Sequence, residues 1–151
     1  MHPAPVDVIV PVYNEEAALP AFHRRLTGLD LPVRPIYIDN GSTDGSLRLL
    51  HSFAGAVVIE HATNEGYGAS LRDGIRRATA ERIVIIDADC EYPPEAIPEM
   101  VSRLDQADVV YASRFLEPQQ TRMGWLKVFG NRVITRLFNL LFHQQLTDLY
   151  T

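Results

Sequence analysis

The fold this sequence predicts is a doubly wound α/β domain, a mostly parallel sheet with helices on both faces. Three observations predict it. Apolar runs of strand length recur along the chain, stretches with apolar residues at three- and four-residue spacing separate them, and polar clusters follow the runs on their carboxyl side. Alternation of strand and helix implies right-handed crossovers, and hence parallel pairing with both sheet faces covered.

The elements follow in order. Val6 to Val12 is apolar except for Asp7 and reads as the first strand; Glu15 to Leu26 carries helical periodicity. Val33 to Ile38 is the second strand, and the helix from Asp44 to Phe53 opens on capping residues. Val57 to His61 and the helix Gly68 to Ala80 form the third pair, and Ile83 to Ile86 and the proline-initiated helix Pro94 to Leu104 the fourth. A fifth strand is expected at Val109 to Ala112 and a long amphipathic helix at Met123 to Phe142. With 151 residues, 46% of them hydrophobic, the chain has the size of one domain, 1–151, and no repeat, low-complexity tract or linker divides it.

Charge excludes one class and locates another. A net charge of −5 argues against a general nucleic-acid binder, which needs a basic surface to displace counterions from phosphates. The acidity is concentrated around Asp87, Asp89, Glu91, Glu95 and Glu99. The stretch of about 118–145, by contrast, contains Arg122, Lys127, Arg132 and Arg136 and no acidic residue after Glu117. Cys90 is the single cysteine and the histidines lack zinc-ligand spacing, so a reducing, cytoplasmic setting is expected. The N-terminus shows no signal-peptide pattern, and no apolar run approaches the roughly 18 residues of a membrane span. Any membrane contact would then be peripheral, on the cytoplasmic face.

In doubly wound sheets ligands bind beyond the carboxyl ends of the strands, near the point where strand order reverses. Pro11-Val-Tyr13-Asn14-Glu15, Asp39-Asn-Gly-Ser-Thr-Asp44, Asp87-Ala-Asp89 and Ser113-Arg114 all fall there. The aspartates of Asp87-Ala-Asp89 are hard oxygen ligands suited to Mg²⁺ or Mn²⁺, with substrate phosphates completing the coordination. An acidic strand end capping the next helix would look the same if it stood alone. Asn40-Gly41 suits a turn and Ser42, Thr43 or Asp44 a cap, which leaves Asp39 least explained; a nucleobase N–H is one partner for it. Asn64-Glu-Gly66-Tyr-Gly68 opens a helix where backbone amides could approach a ligand, though a plain turn accounts for it equally.

These segments, Val8-Ile-Val-Pro11-Val-Tyr13-Asn14-Glu15-Glu16, Asp39-Asn-Gly-Ser-Thr-Asp-Gly, Asn64-Glu-Gly-Tyr-Gly-Ala, Asp87-Ala-Asp89 and Ser113-Arg114, occur in the order seen in family 2 glycosyltransferases with a GT-A fold, and the chain resembles that family. Asp-Ala-Asp followed by two prolines and Glu95, with Thr147-Asp148-Leu-Tyr-Thr151 later, is most similar to the polyprenyl- or dolichyl-phosphate sugar synthases. The resemblance implies metal-dependent transfer of a sugar from a UDP- or GDP-linked donor to a lipid phosphate, with inversion at the anomeric carbon. Pro11, Tyr13, Glu15 and Asp39 would then line the nucleoside pocket, with Gly68 and Ala88 also on the donor side. Asp87 would lie near the ribose or diphosphate, Asp89 would hold the metal, and Arg114 would face the donor phosphates.

Many relatives carry a second aspartate where this chain has Asn40. Lys127 and Arg132 would hold the acceptor phosphate, and Asp148 would be an acceptor-side or catalytic residue. The helix from Met123 to Phe142 suits an anionic membrane surface, the core or a second copy of the chain as a homo-oligomer. The chain stops at Thr151 within what resembles a D-x-x-x-G segment, so a C-terminal truncation that keeps donor binding with reduced or no transfer is expected. Two other classes compete: a noncatalytic nucleotide-binding module, and a nucleotidyltransferase, whose glycine- and lysine-rich phosphate loop is not seen here.

Overall fold

The computed structural model describes residues 5–112 and 125–142. The chain divides into two compact units, Met1–Asp105 and Gln106–Thr151. The first unit holds a four-stranded parallel sheet of β1 (Val6–Val12), β2 (Val33–Asp39), β3 (Val57–Glu60) and β4 (Arg82–Ile85), in the order β3-β2-β1-β4. Because β1, β2 and β3 step one way and β4 lies on the other side of β1, the direction of winding reverses between β1 and β4. That reversal opens a crevice at their carboxyl ends.

β1 sits in the middle because it is apolar on both faces: Val6, Val8, Ile9 and Val10 are all fully buried. Its even-numbered residues join Tyr37 and Val84 in the larger core cluster, which also contains Leu19, Phe22 and Leu26 of α1 (Leu19–Thr27), Leu50 of α2 (Ser46–Ser52), and Ile97 and Val101 of α4 (Ile97–Arg103). On the opposite face Ile9, Ile36 and Ile38 pack with Leu71 of α3 (Tyr67–Arg77). Each such fully buried aliphatic side chain contributes roughly 1.5–3 kcal/mol, so the centre of the sheet is the firm platform of the unit.

Several element ends differ from the sequence expectation, each for a physical reason. α1 begins at Leu19, not Glu15, because the carbonyl of Glu15 accepts from the N–H groups of Ala18 and Leu19 in a turn that precedes it. α3 ends at Arg77, since Ala78 is extended and the next two N–H groups, of Thr79 and Ala80, donate to the Asp7 carboxylate instead of to helix carbonyls. The expected helix from Pro94 opens as one 3₁₀ turn, Pro94–Ala96, before α4. The fifth strand is a correction. Residues 109–112 form no strand, and Val109 and Tyr111 are 59% and 68% exposed, so no apolar burial holds them against a neighbour. In the second unit α5 (Trp125–Phe142) is the expected long helix.

Candidate functional site

The turns after β1 and β4 are both built on residues in the left-handed region, where a side chain needs compensation. Asn14 (φ 57°) obtains it from its Oδ1, which accepts the N–H of Thr43 at 2.8 Å, while its own N–H donates to Ser42 Oγ at 3.0 Å. Cys90 (φ 62°) follows Asp89, whose Oδ1 accepts the N–H of Glu91 at 2.9 Å and closes the turn. The β1 turn is thereby tied to the β2 turn, while Asp89 is held by its own backbone. Asp44 extends this web, accepting from Ser46 N–H and Glu16 N–H.

Asn40, buried at the end of β2, ties the third turn in. Its Oδ1 accepts from the N–H of Glu65 at 2.9 Å and lies 3.0 Å from His61 Nδ1, and its Nδ2 donates to Asn64 Oδ1 at 3.0 Å. Only a side chain that both donates and accepts can make this set. The same Asn64 oxygen accepts from Gly66 N–H, and Gly66 turns the chain into α3 at φ 88°.

Between these turns lies a cavity of about 300 Å³ at the β1/β4 reversal. Of the residues singled out in the sequence, Pro11, Tyr13, Glu15, Asp87, Ala88 and Asp89 line it. Val12, Asn40, Asn64, Tyr67 and Ser70 complete it. Asp39 is not part of the lining. It is buried at the end of β2, where Oδ2 accepts from Ser42 N–H at 3.1 Å and Oδ1 has no partner. Gly68 sits in the first turn of α3, also outside the lining. Arg132 is an exposed residue of α5, and Lys127 lies on the same helix, its side chain outside the described residues. Arg114 and Asp148 lie outside the described residues as well.

The cavity is crowded with negative charge. Burial raises the Asp87 carboxyl above the ordinary carboxylate range, and the neighbouring Asp89 and Glu91 raise it further against a lowering hydrogen bond from Tyr67. Glu15 is raised for the same reasons, by burial and then by Asp89, Asp44 and Asp87. Carboxylates in this state gain from a cation. Among the described residues no three His, Cys, Asp or Glu side chains form a ready cage for one. Asp87 and Asp89 therefore fit an ion that takes its remaining ligands from water and phosphate, as Mg²⁺ and Mn²⁺ do. Tyr67 and Ser70 were missed in the sequence, where Asn64 to Gly68 drew attention only for its backbone; their spacing of three on one helix face was the available signal.

A family model described as glycosyl transferase family 2 matches residues 7–149. An undecaprenyl-phosphate 4-deoxy-4-formamido-L-arabinose transferase of Pseudomonas aeruginosa (strain LESB58) is 33% identical over 156 residues, covering 95% of this chain and 46% of that protein. The chain thus spans about half the length of the curated relatives it matches. Among solved structures, the mannosyltransferase PcManGT of Pyrobaculum calidifontis, in complex with GDP-Man and Mn²⁺, superposes with a TM-score of 0.63 at 26% identity, over 72% of this chain and 34% of that one. Residues 1–349 of S. aureus TarS give 0.60 at 23% identity, over 78% of this chain and 40% of that one, a likeness of fold.

Proposed function

From the premise that this chain belongs to glycosyl transferase family 2, we propose that it binds a nucleotide-diphosphate sugar at the β1/β4 reversal and passes the sugar to a polyprenyl phosphate, with inversion. Its fold is the GT-A fold of these transferases. Family membership favours this reading over nucleotidyl transfer. The observation that carries it is one cavity lined both by Asp87 and Asp89 and by Pro11, Tyr13 and Glu15 of the β1 turn. The name of the Pseudomonas relative supports the lipid-phosphate acceptor, and the GDP-Man and Mn²⁺ of the mannosyltransferase complex support the donor and the ion. In this reading the two units together make one catalytic domain, 1–151.

Within the site, Pro11, Tyr13 and Glu15 take the nucleoside, and Asp39 takes a base N–H, an assignment that its unpartnered buried Oδ1 supports. Gly68 and Ala88 bring backbone to the donor. Asp87 takes the ribose or diphosphate and Asp89 the metal. A bound Mg²⁺ or Mn²⁺ would screen the charge that develops on the leaving diphosphate. A polyprenyl phosphate oxygen is already ionised at neutral pH, so the chain has to position it rather than deprotonate it, and attack opposite the departing diphosphate inverts the anomeric carbon. Arg114 is assigned to the donor phosphates, Lys127 and Arg132 to the acceptor phosphate, and Asp148 to the acceptor side.

Calorimetry with UDP, GDP, CDP and dTDP, each with and without Mn²⁺, tests the donor half. Metal-dependent binding of one nucleotide, lost in Asp89→Ala, is the expected result and identifies the base. A folded chain that binds none of them overturns the reading.

A further inference from the structure

Part of the cavity wall comes from α3, through Tyr67 and Ser70, side chains with no role in the donor site described so far. Tyr67, the first residue of that helix, is 52% exposed yet lines the cavity, and its hydroxyl donates to Asp87 Oδ1 at 3.1 Å. Asp89 is held by its own turn, whereas the hydrogen bond recorded for Asp87 comes from this phenol. One helical turn on, Ser70 lines the same cavity, and its Oγ is buried and unpartnered. Tyr67 belongs to neither core cluster, so its ring is not there to hold the fold. Its position is nevertheless set firmly, because Asn40 grips Asn64 and Glu65 and Gly66 turns the backbone directly before it.

We propose that Tyr67 is a positioning residue of the donor site: its hydroxyl orients the Asp87 carboxylate for the metal–nucleotide complex, and its ring forms the α3 wall of the pocket. One carboxylate oxygen is occupied by the phenol, which leaves Oδ2 to the incoming ligand. Without the phenol, the carboxylate is free to rotate among its neighbouring negative charges and must be ordered at the expense of binding. This assignment rests on the donor-site reading above, and goes beyond it by naming a residue that acts through Asp87.

The test is calorimetry of nucleoside diphosphate and Mn²⁺ with the whole chain, its Tyr67→Phe and Asp87→Asn variants, and the double variant, with melting temperatures alongside. Tyr67→Phe keeps the ring and removes the hydroxyl. It is expected to weaken Mn²⁺-dependent nucleotide binding about five- to tenfold, the scale of a partly exposed hydrogen bond to a charged group, and to leave metal-free binding and melting temperature unchanged. In the Asp87→Asn background the same change is expected to add almost nothing, because the two act as one unit. Equal binding by Tyr67→Phe and the unsubstituted chain overturns the assignment while the donor site stands. An equal loss with and without metal overturns it too, leaving Tyr67 as a wall alone. Absence of nucleotide binding in the unsubstituted chain overturns the donor site and this assignment together.

Discussion

Asp7 and Asp39 are both buried carboxylates on neighbouring strands, and their surroundings set them to different tasks. Asp7 accepts from Arg34 Nε and Nη2, both at 2.6 Å, and from the N–H groups of Thr79 at 2.6 Å and Ala80 at 2.9 Å. Burial pushes its carboxyl up, but these hydrogen bonds outweigh burial and hold it at about 2. Asp39 has one backbone donor and an orphan oxygen, which is left available to a further donor. The folded pKa of Asp7 lies below its ordinary value of 3.8, so its stabilisation is complete above about pH 4 and drains away as pH falls toward 2. Asp7→Asn is accordingly expected to cost about 2–3 kcal/mol in urea unfolding at pH 7, the scale set by the fall of its carboxyl from 3.8 to about 2, and the gap to the unsubstituted chain should narrow in acid. A gap that stays constant with pH would contradict this account. The sequence displayed Asp7 only as a charge in an apolar strand, because Thr79 lies 72 residues away and supplies backbone, not side chain. Asn40 was opaque for a related reason. In the sequence it stands out only as a departure from the aspartate of many relatives, whereas in the structure it is the joint that fastens the third strand's turn to the second.

At the scale of elements, periodicity identified the bodies of the helices and of the four strands, most plainly where one face is buried, as in β1, β2 and α1, and the ends were harder because hydrogen bonds from elsewhere in the chain decide them. α3 illustrates both. Its apolar face was legible, but its last turn is taken apart by Asp7 and its first turn is placed by Asn40. Residues 109–112 failed for the opposite reason, as β-branched and aromatic composition makes a strand only when a neighbouring strand completes its ladder. α3 also shows why a glycine stands in its middle. A Cβ added at Gly74 would lie 2.6 Å from Ile9 Cγ2 and 2.9 Å from Ile38 Cδ1, both in fully buried residues of the sheet. Gly74→Ala would gain about 1 kcal/mol of helix propensity, but overpacking of this kind costs roughly 1–3 kcal/mol. The helix would have to lift from β1 and β2, carrying Tyr67 and Ser70 with it. We expect a lower melting temperature together with weaker nucleotide binding. A more stable Gly74→Ala chain would show that α3 can shift without strain.

Charge is grouped locally, with carboxylates gathered around the cavity of the first unit, whereas α5 of the second carries Lys127, Arg132 and Arg136 and no acidic residue. On α5, Val133, Ile134, Leu137, Leu140, Leu141 and Phe142 are exposed over a broad apolar arc, and Arg132 and Arg136 stand four residues apart on the other side of the helix. Among the described residues no helix is long and apolar enough to cross a membrane. An exposed apolar arc beside cations is the composition of a helix that lies in the interface of an anionic bilayer. If the acceptor is the polyprenyl phosphate proposed above, the chain has to work at that interface, because the acceptor's tail cannot leave it. The expected outcome is therefore pelleting with vesicles that contain anionic lipid, weakened by salt and by Leu137→Glu with Leu141→Glu, and little pelleting with neutral vesicles. Salt is the discriminating variable. Surface attraction of arginines is screened over about 8 Å at physiological ionic strength, whereas apolar burial is not, so a partial loss at high salt means that both contribute. If vesicles fail to bind and sedimentation instead shows a dimer lost in the same variant, the apolar arc of α5 is covered by a second copy of the chain, and delivery of the lipid acceptor must rest on residues outside this helix.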